Sequence, residues 1–174
     1  MEADRETLSE AFAKLLETTP FDCIRPEAVA DAAGVPASSF PYHFKDVYAA
    51  ADALMAAEED TVIRSGIRPE TGGEAFLLSV SFILRYPASA KHLCLSSGGG
   101  IYKKHVSSLA GRFFSEVALA RLDGRAPTDR ERCAVRFLRA AAVGLASREL
   151  ISADDVRAAA DSYADFFDMI TDSI

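Results

Sequence analysis

Between Pro20 and Asp46 the chain reads PFDCIRPEAVADAAGVPASSFPYHFKD, and no other stretch limits its fold as tightly. Pro26 suits the first turn of a helix, where its missing N–H costs nothing, and Gly34 supplies a left-handed stop. A second short helix lies within Pro36 to Phe44. Phe21, Ile24, Val29, Ala30, Ala33, Val35, Phe40 and Phe44 supply one buried face shared by both helices. Ala30, four residues before Gly34, lets the helices meet closely at the turn. The segment therefore reads as a helix-turn-helix. Pro41 adds a condition. Inside a helix that began at Pro36 it would cost about 3 kcal/mol through a lost hydrogen bond and a clash. A start near Ser38 puts Pro41 in the first turn, where its missing donor does no harm. The second helix is predicted to be short and late-starting, or kinked.

Helical spacing governs the rest of the chain, and alternating strand patterns are absent. Leu8, Ala11, Phe12, Leu15 and Leu16 form a first stripe, stopped by Thr18-Thr19-Pro20. Asp46 is placed to cap a fourth helix carrying Tyr48, Ala51, Leu54, Met55 and Val62, ending near Gly66 and Pro69. Helices are predicted over 73–86, 88–95 and about 101–122, with a flexible break at Gly98-Gly99-Gly100. That glycine run is no phosphate loop, since no strand precedes it and no Lys-Ser/Thr follows. A further helix starts at Pro127-Thr128-Asp129 and runs to about Leu150, and Ser152 caps the last one. The expectation is an all-α protein of eight or nine helices. Residues 1–46 form a three-helix N-terminal unit and residues 47–174 a larger helical part.

The chain has 174 residues, of which 49% are apolar, enough for a substantial core. The acidic start MEADRETLSE lacks the order of a signal peptide, and no apolar run approaches the ~20 residues of a membrane span, so a cytoplasmic location is expected. Cys23, Cys94 and Cys133 are far apart and read as small buried apolar residues. No metal, cofactor or catalytic spacing is present, and no enzymatic role is expected. The net charge is −7. Residues 1–50 hold Arg5, Lys14, Arg25 and Lys45 against Glu2, Asp4, Glu6, Glu10, Glu17, Asp22, Glu27, Asp31 and Asp46, a local balance of −5. Nucleic-acid affinity is driven by Lys and Arg displacing counterions, so this balance opposes it.

The order F-D-x-I, V-A-x-A-A-G-V and S-S-F-x-Y-H-F-K-D resembles the TetR family of bacterial regulators over about residues 8 to 55. The H-F-K-D ending and the short C-terminal half look like the branch found beside dihydroxyacetone kinase genes. The resemblance implies a homodimeric transcriptional regulator, a repressor, that binds double-stranded operator DNA and is released by a small-molecule effector. Carried over by position, the family's phosphate-binding Thr is Ser39. The usual Ser at the start of the reading helix is Pro36, the next, often basic, position is Ala37, the DNA-contacting Tyr is Pro41, and a Lys beyond the His is Val47. Arg25, Ser38, Ser39, Tyr42, His43 and Lys45 remain as candidate DNA contacts. For His43 the alternative is a partly buried residue joining helices three and four; for Lys45 it is a solvated surface lysine. The missing groups also suit a protein of this fold that binds a partner or ligand and no DNA.

In the family the C-terminal half encloses the effector. Phe82, Tyr86, His92, Tyr102 and Phe113 are the candidate ligand contacts here, with ordinary core packing as the alternative. The last two helices carry Phe137, Leu138, Ala141, Ala142 and Leu145 on one stripe and Val156, Ala159, Ala160, Tyr163, Phe167 and Ile170 on another. They are expected to build a four-helix homodimer interface, the alternative being that both stripes face one chain's own core.

Overall fold

The computed structural model describes residues 2–122, 124–148 and 153–172, excepting the side chains of 2–4, 148, 153, 168 and 170–172. All its regular elements are helical: α1 Glu2–Thr18, α2 Pro26–Ala33, α3 Ser39–His43, α4 Val47–Arg64, α5 Gly72–Ser79, α6 Ser81–Arg85, α7 Pro87–Cys94, α8 Gly99–Ala120, α9 Asp129–Arg148 and α10 Ala153–Asp172. A 3-10 turn over Phe21–Cys23 follows α1. The expected Ser152 cap and the Leu150 end lie outside the described residues.

The local chemistry explains most boundaries. Gly34, at φ 68°, closes α2 with Val35 N–H donating to the Ala30 carbonyl (3.1 Å) and Gly34 N–H to that of Asp31 (3.1 Å). This paired closure fixes the turn into α3. The Asp46 carboxylate accepts from Ala49 N–H at 2.8 Å and caps α4. α9 starts in a reciprocal cap: Thr128 Oγ1 accepts from Glu131 N–H, and Glu131 Oε2 accepts from Thr128 N–H at 2.7 Å.

Two expectations fail for packing reasons. The 73–86 helix is broken at Val80 (φ −111°, ψ 18°) into α5 and α6, which makes ten α-helices among the described residues where eight or nine were expected. Just before the break, the buried Ser79 hydroxyl donates to its own helix at the Ala75 carbonyl, 2.6 Å away. The glycine run is no loose break. Gly98 caps α8, and Gly99 and Gly100 form its first turn. A Cβ on Gly98 would stand 2.6 Å from Leu93 Cδ1 and 3.0 Å from Phe21 Cδ1, and one on Gly99 2.5 Å from the Cys94 carbonyl oxygen. The run lets α8 start hard against α7.

α8 is the central post, with Tyr102, His105, Val106, Leu109, Ala110, Phe113, Phe114 and Val117 buried along it. It packs against α4, α5, α7 and α9, while α10 lies on α5. The first three helices rest on α4 and α7. Phe21 sits edge-on to both Phe12 (6.4 Å) and Tyr48 (5.1 Å), joining α1 to α4.

The α10 stripe faces the chain's own core. Val156, Ala160, Tyr163 and Phe167 are buried, and Tyr163 stacks on Phe76 at 4.3 Å and Phe114 at 5.8 Å. Leu138 and Ala142 of α9 are likewise buried, and Ala141, Leu145 and Ala159 are partly so. Only Phe137 of the two expected stripes is well exposed (56%), joined by Phe166 (37%) and Met169 (57%) from outside them. Ile170 lies outside the described side chains. The cysteines depart too: Cys23 and Cys133 are exposed, and Cys94 is half-buried with its thiol directed at the Ser147 carbonyl, 3.3 Å away.

Candidate nucleic-acid interface and effector contacts

α3 is a five-residue helix beginning at Ser39, with Ser38 before it and Pro41 in its first turn. The condition set by Pro41 is therefore met by a late start. Phe40 and Phe44 anchor α3 from beneath, both buried, their rings 5.6 Å apart, and the Arg5 guanidinium lies over Phe44 at 5.5 Å. With those two side chains fixed inward, Ala37, Ser38, Pro41, Tyr42 and Lys45 point to solvent. Tyr42 is 69% exposed and stands edge-on to the half-buried His43, 5.0 Å away. Ser39 is also half-buried. Arg25 is exposed at the N-cap of α2, where the first backbone N–H groups of that helix emerge. Glu27 shares that first turn and competes with an incoming anion. The hydroxyls, the phenol, the imidazole and the amine of the candidate set thus fall on or beside one short helix, and the Arg25 guanidinium comes from its neighbour. Pro41, which offers no donor, occupies the middle of the exposed edge.

The candidate effector contacts divide. Phe82 packs near Tyr86 (5.5 Å) and Tyr102 (6.4 Å), so α6 and α8 bring these three rings together. Tyr102 is fully buried, and its hydroxyl has no hydrogen-bond partner among the described residues. Burial pushes that phenol well above its ordinary range, so it stays a neutral donor. His92 is engaged elsewhere: its Nδ1 meets the Leu16 carbonyl at 2.8 Å and ties α7 to α1. Phe113 is buried on α8 and borders a separate open groove of about 610 Å³ between the ends of α4 and α8, with Ile67, Arg112 and Leu119.

A polar bridge between α4 and α8 is invisible as a motif. The buried His105 places Nδ1 2.8 Å from Glu59 Oε2, and Ser108 donates to Glu59 Oε1 at 2.6 Å. Lys104 Nζ lies 2.8 Å from Asp52, whose carboxyl it holds below the usual carboxylate range. His105 Nε2 faces Asp52 at 3.5 Å, too long and misaligned for a full hydrogen bond. The only sequence signal is spacing: 52 and 59 share a face of α4, and 104, 105 and 108 share one of α8. Among the described residues, no three His, Cys, Asp or Glu side chains gather as a metal site. None of the described helices is long and apolar enough to cross a membrane.

No protein-family model matches the chain, and no curated protein does. Solved structures do resemble it. A TetR transcriptional regulator from Rhodococcus sp. RHA1 is 19% identical and superposes with a TM-score of 0.60, over 96% of this chain and 96% of its own. The TetR family repressor AlkX from Dietzia sp. strain DQ12-45-1b, implicated in biodegradation of n-alkanes, is 18% identical with a TM-score of 0.48, over 95% and 97%. The first likeness establishes the fold: the chain shares the helical architecture of that regulator over 96% of its length.

Proposed function

We propose that the protein is a TetR-like, DNA-binding transcriptional regulator, acting as a homodimer and as a ligand-released repressor. The observation that carries this reading is the short α3, fixed from below by Phe40 and Phe44 with Ser38, Tyr42 and Lys45 turned outward. A helix so mounted is free to enter a major groove. Residues 1–46 are the DNA-reading unit, with Arg25, Ser38, Ser39, Tyr42, His43 and Lys45 as its contacts. Residues 47–174 are the regulatory and dimerising part.

The effector site in this reading lies at Phe82, Tyr86 and Tyr102. A buried hydroxyl without a partner costs about 1–3 kcal/mol. A ligand acceptor reaching Tyr102 would recover that cost. α4 runs from the reading unit to this half and is bridged to α8 beside Tyr102 by His105 and Glu59. A shift of α8 on ligand binding would therefore move α4 and the heads.

A second reading keeps the fold and drops the DNA. The −5 balance of residues 1–50 and the exposed Pro41 favour it. One experiment separates the two. Purified protein is titrated against fluorescent duplex from its own upstream region and against a scrambled duplex, over a salt series. Preferential binding that weakens as salt rises supports the regulator. Equal or absent binding at low salt, with and without candidate effectors, sinks it.

A further inference from the structure

Helix α8 borders two separate spaces. On one side Tyr102 meets the aromatic cluster of Phe82 and Tyr86. Successive residues turn about 100° around a helix, which sets Gly111 and Ser115 on roughly the opposite side of α8 from Tyr102. There they line an open groove of about 340 Å³ against α9. On the α9 wall, Arg132, Val135, Arg136 and Arg139 recur at i, i+3, i+4 and i+7, so they form one row. The three arginines are exposed.

The groove is graded along its length. One end is apolar, with Leu119 and Leu122 of α8 beside Val135. At the other end Arg139 Nε donates to Ser107 Oγ at 2.7 Å. The Arg139 side chain lies across Gly111, where a Cβ would stand 3.5 Å from both its Cδ and its Nη1. The bond through Nε fixes the guanidinium and leaves both Nη groups to donate. Arg136 lies one turn away on the same row. Among the described residues, neither Arg136 nor Arg139 meets a carboxylate. The other charges of the groove are already matched: Arg132 pairs with Asp129, and Glu131 with Arg125. Past Arg136 and Arg139 the surface dips again into a hollow of about 380 Å³, so the two unmatched guanidinium groups border open space on both sides.

Two unmatched cations beside an apolar trough, in a chain of net charge −7, form a local positive field that draws an anion. We infer that the groove between α8 and α9 binds a small amphipathic anion. Its phosphate or carboxylate head sits on Arg136 and Arg139, and its apolar arm runs along Leu119, Leu122 and Val135. A guanidinium matches two oxygens of one oxyanion at once, and Arg139 is held in place for that before the ligand arrives. The site is separate from the aromatic cluster around Tyr102 and does not depend on DNA binding. A ligand seated there touches both helices and steadies α8 against α9.

The test is isothermal titration of the full chain with hexyl phosphate and with hexanoate, followed by mapping of amide NMR shifts. At least one of the two should bind, with larger shifts at Gly111, Ser115 and Val135 than at Phe82 and Tyr86; the tighter of the two names the head group. Inorganic phosphate should bind more weakly than hexyl phosphate, and uncharged hexanol not measurably. Arg136→Gln with Arg139→Gln should raise the Kd at least about tenfold, since hydrogen bonds from charged groups are lost. Tyr102→Phe should leave it unchanged. Circular dichroism and sedimentation check that both variants keep the helix content and mass of wild type. No binding of either anion at millimolar concentration, or binding that survives in the arginine variant, overturns the site. Inorganic phosphate binding as tightly as hexyl phosphate removes the apolar arm and overturns the amphipathic ligand. Shifts gathered at Phe82 and Tyr86, or affinity lost in Tyr102→Phe, place the ligand in the aromatic cluster instead. An arginine variant of changed sedimentation mass assigns the groove to a second copy and overturns the ligand.

Discussion

The Asp22 carboxylate, in the turn between α1 and α2, accepts hydrogen bonds from both the backbone N–H (3.2 Å) and the hydroxyl of Ser97, in the loop between α7 and α8. Tyr48 of α4 meets the same hydroxyl at 2.7 Å. Three segments that are distant in sequence thus converge on one serine. The site is solvent-exposed, so its worth is modest. Asp22→Ala should lower unfolding free energy by about 1 kcal/mol, read from urea denaturation. Ser97→Ala should give a similar loss, and the double variant little more than either alone, because both remove the same contact.

The glycine run offers a contrast within one helix turn. At Gly99 a methyl group would meet the Cys94 carbonyl oxygen at 2.5 Å, and backbone cannot swing aside. Gly99→Ala should destabilise by about 1–3 kcal/mol. At Gly100 a Cβ would meet nothing within 4 Å. Gly100→Ala should be neutral or stabilising, by up to about 1 kcal/mol, since alanine is the better helix former. Thermal melts of the two single variants decide this. Equal effects would mean that close packing is not what the run supplies.

Glu131 sets an acid limit on α9. Its carboxyl is held down to about 2 from an ordinary 4.5, first by the Arg125 guanidinium and then by the Thr128 amide and hydroxyl. A carboxyl depressed on folding contributes stability that is full above its unfolded pKa and is lost as pH falls through its folded one. Glu131→Gln should therefore melt below wild type at pH 7, and the two melting curves should converge between about pH 4.5 and pH 2. Thr128→Ala removes the partner cap and should cost about 1 kcal/mol at neutral pH.

The short helix α3 can be interrogated in both directions. On the proposed function, Lys45→Ala removes one phosphate contact. It should weaken binding to all duplexes alike and reduce the salt slope by about 1. Pro41→Tyr restores the side chain that the family pattern places there. It should strengthen operator binding without altering the melting temperature by more than a degree or two, since position 41 is exposed. Fluorescence anisotropy across a salt series measures both. An unchanged affinity in both variants would remove α3 from the interface.

Local rules made the first half of the fold legible. Pro26, Gly34 and Asp46 act within one turn of themselves, and Pro41 dictates its own helix start. The rest depends on partners far along the chain. The glycine run looks like a hinge until Phe21 and Cys94 are set against it. The Val156 to Phe167 stripe announces a buried face, and periodicity cannot say whose core it enters; the rings of Phe76 and Phe114 decide. The break at Val80 falls one residue after Ser79, whose hydroxyl bonds back to Ala75, and no spacing betrays it. Among the candidate contacts, Ser38, Tyr42 and Lys45 were readable as an outward edge because Phe40 and Phe44 must point in. His92 was readable only as a polar side chain among aromatics, and its bond to Leu16 takes it out of the aromatic cluster.

The length of α3 has an informational consequence. Five residues at a rise of 1.5 Å make a helix about 7.5 Å long, against 3.4 Å per stacked base pair. On the proposed reading, one head inspects two or three base pairs. A word that short recurs by chance every few dozen positions on any genome. Discrimination must then come from grammar more than vocabulary: two short words, their relative orientation, and the fixed distance at which the paired subunits hold them.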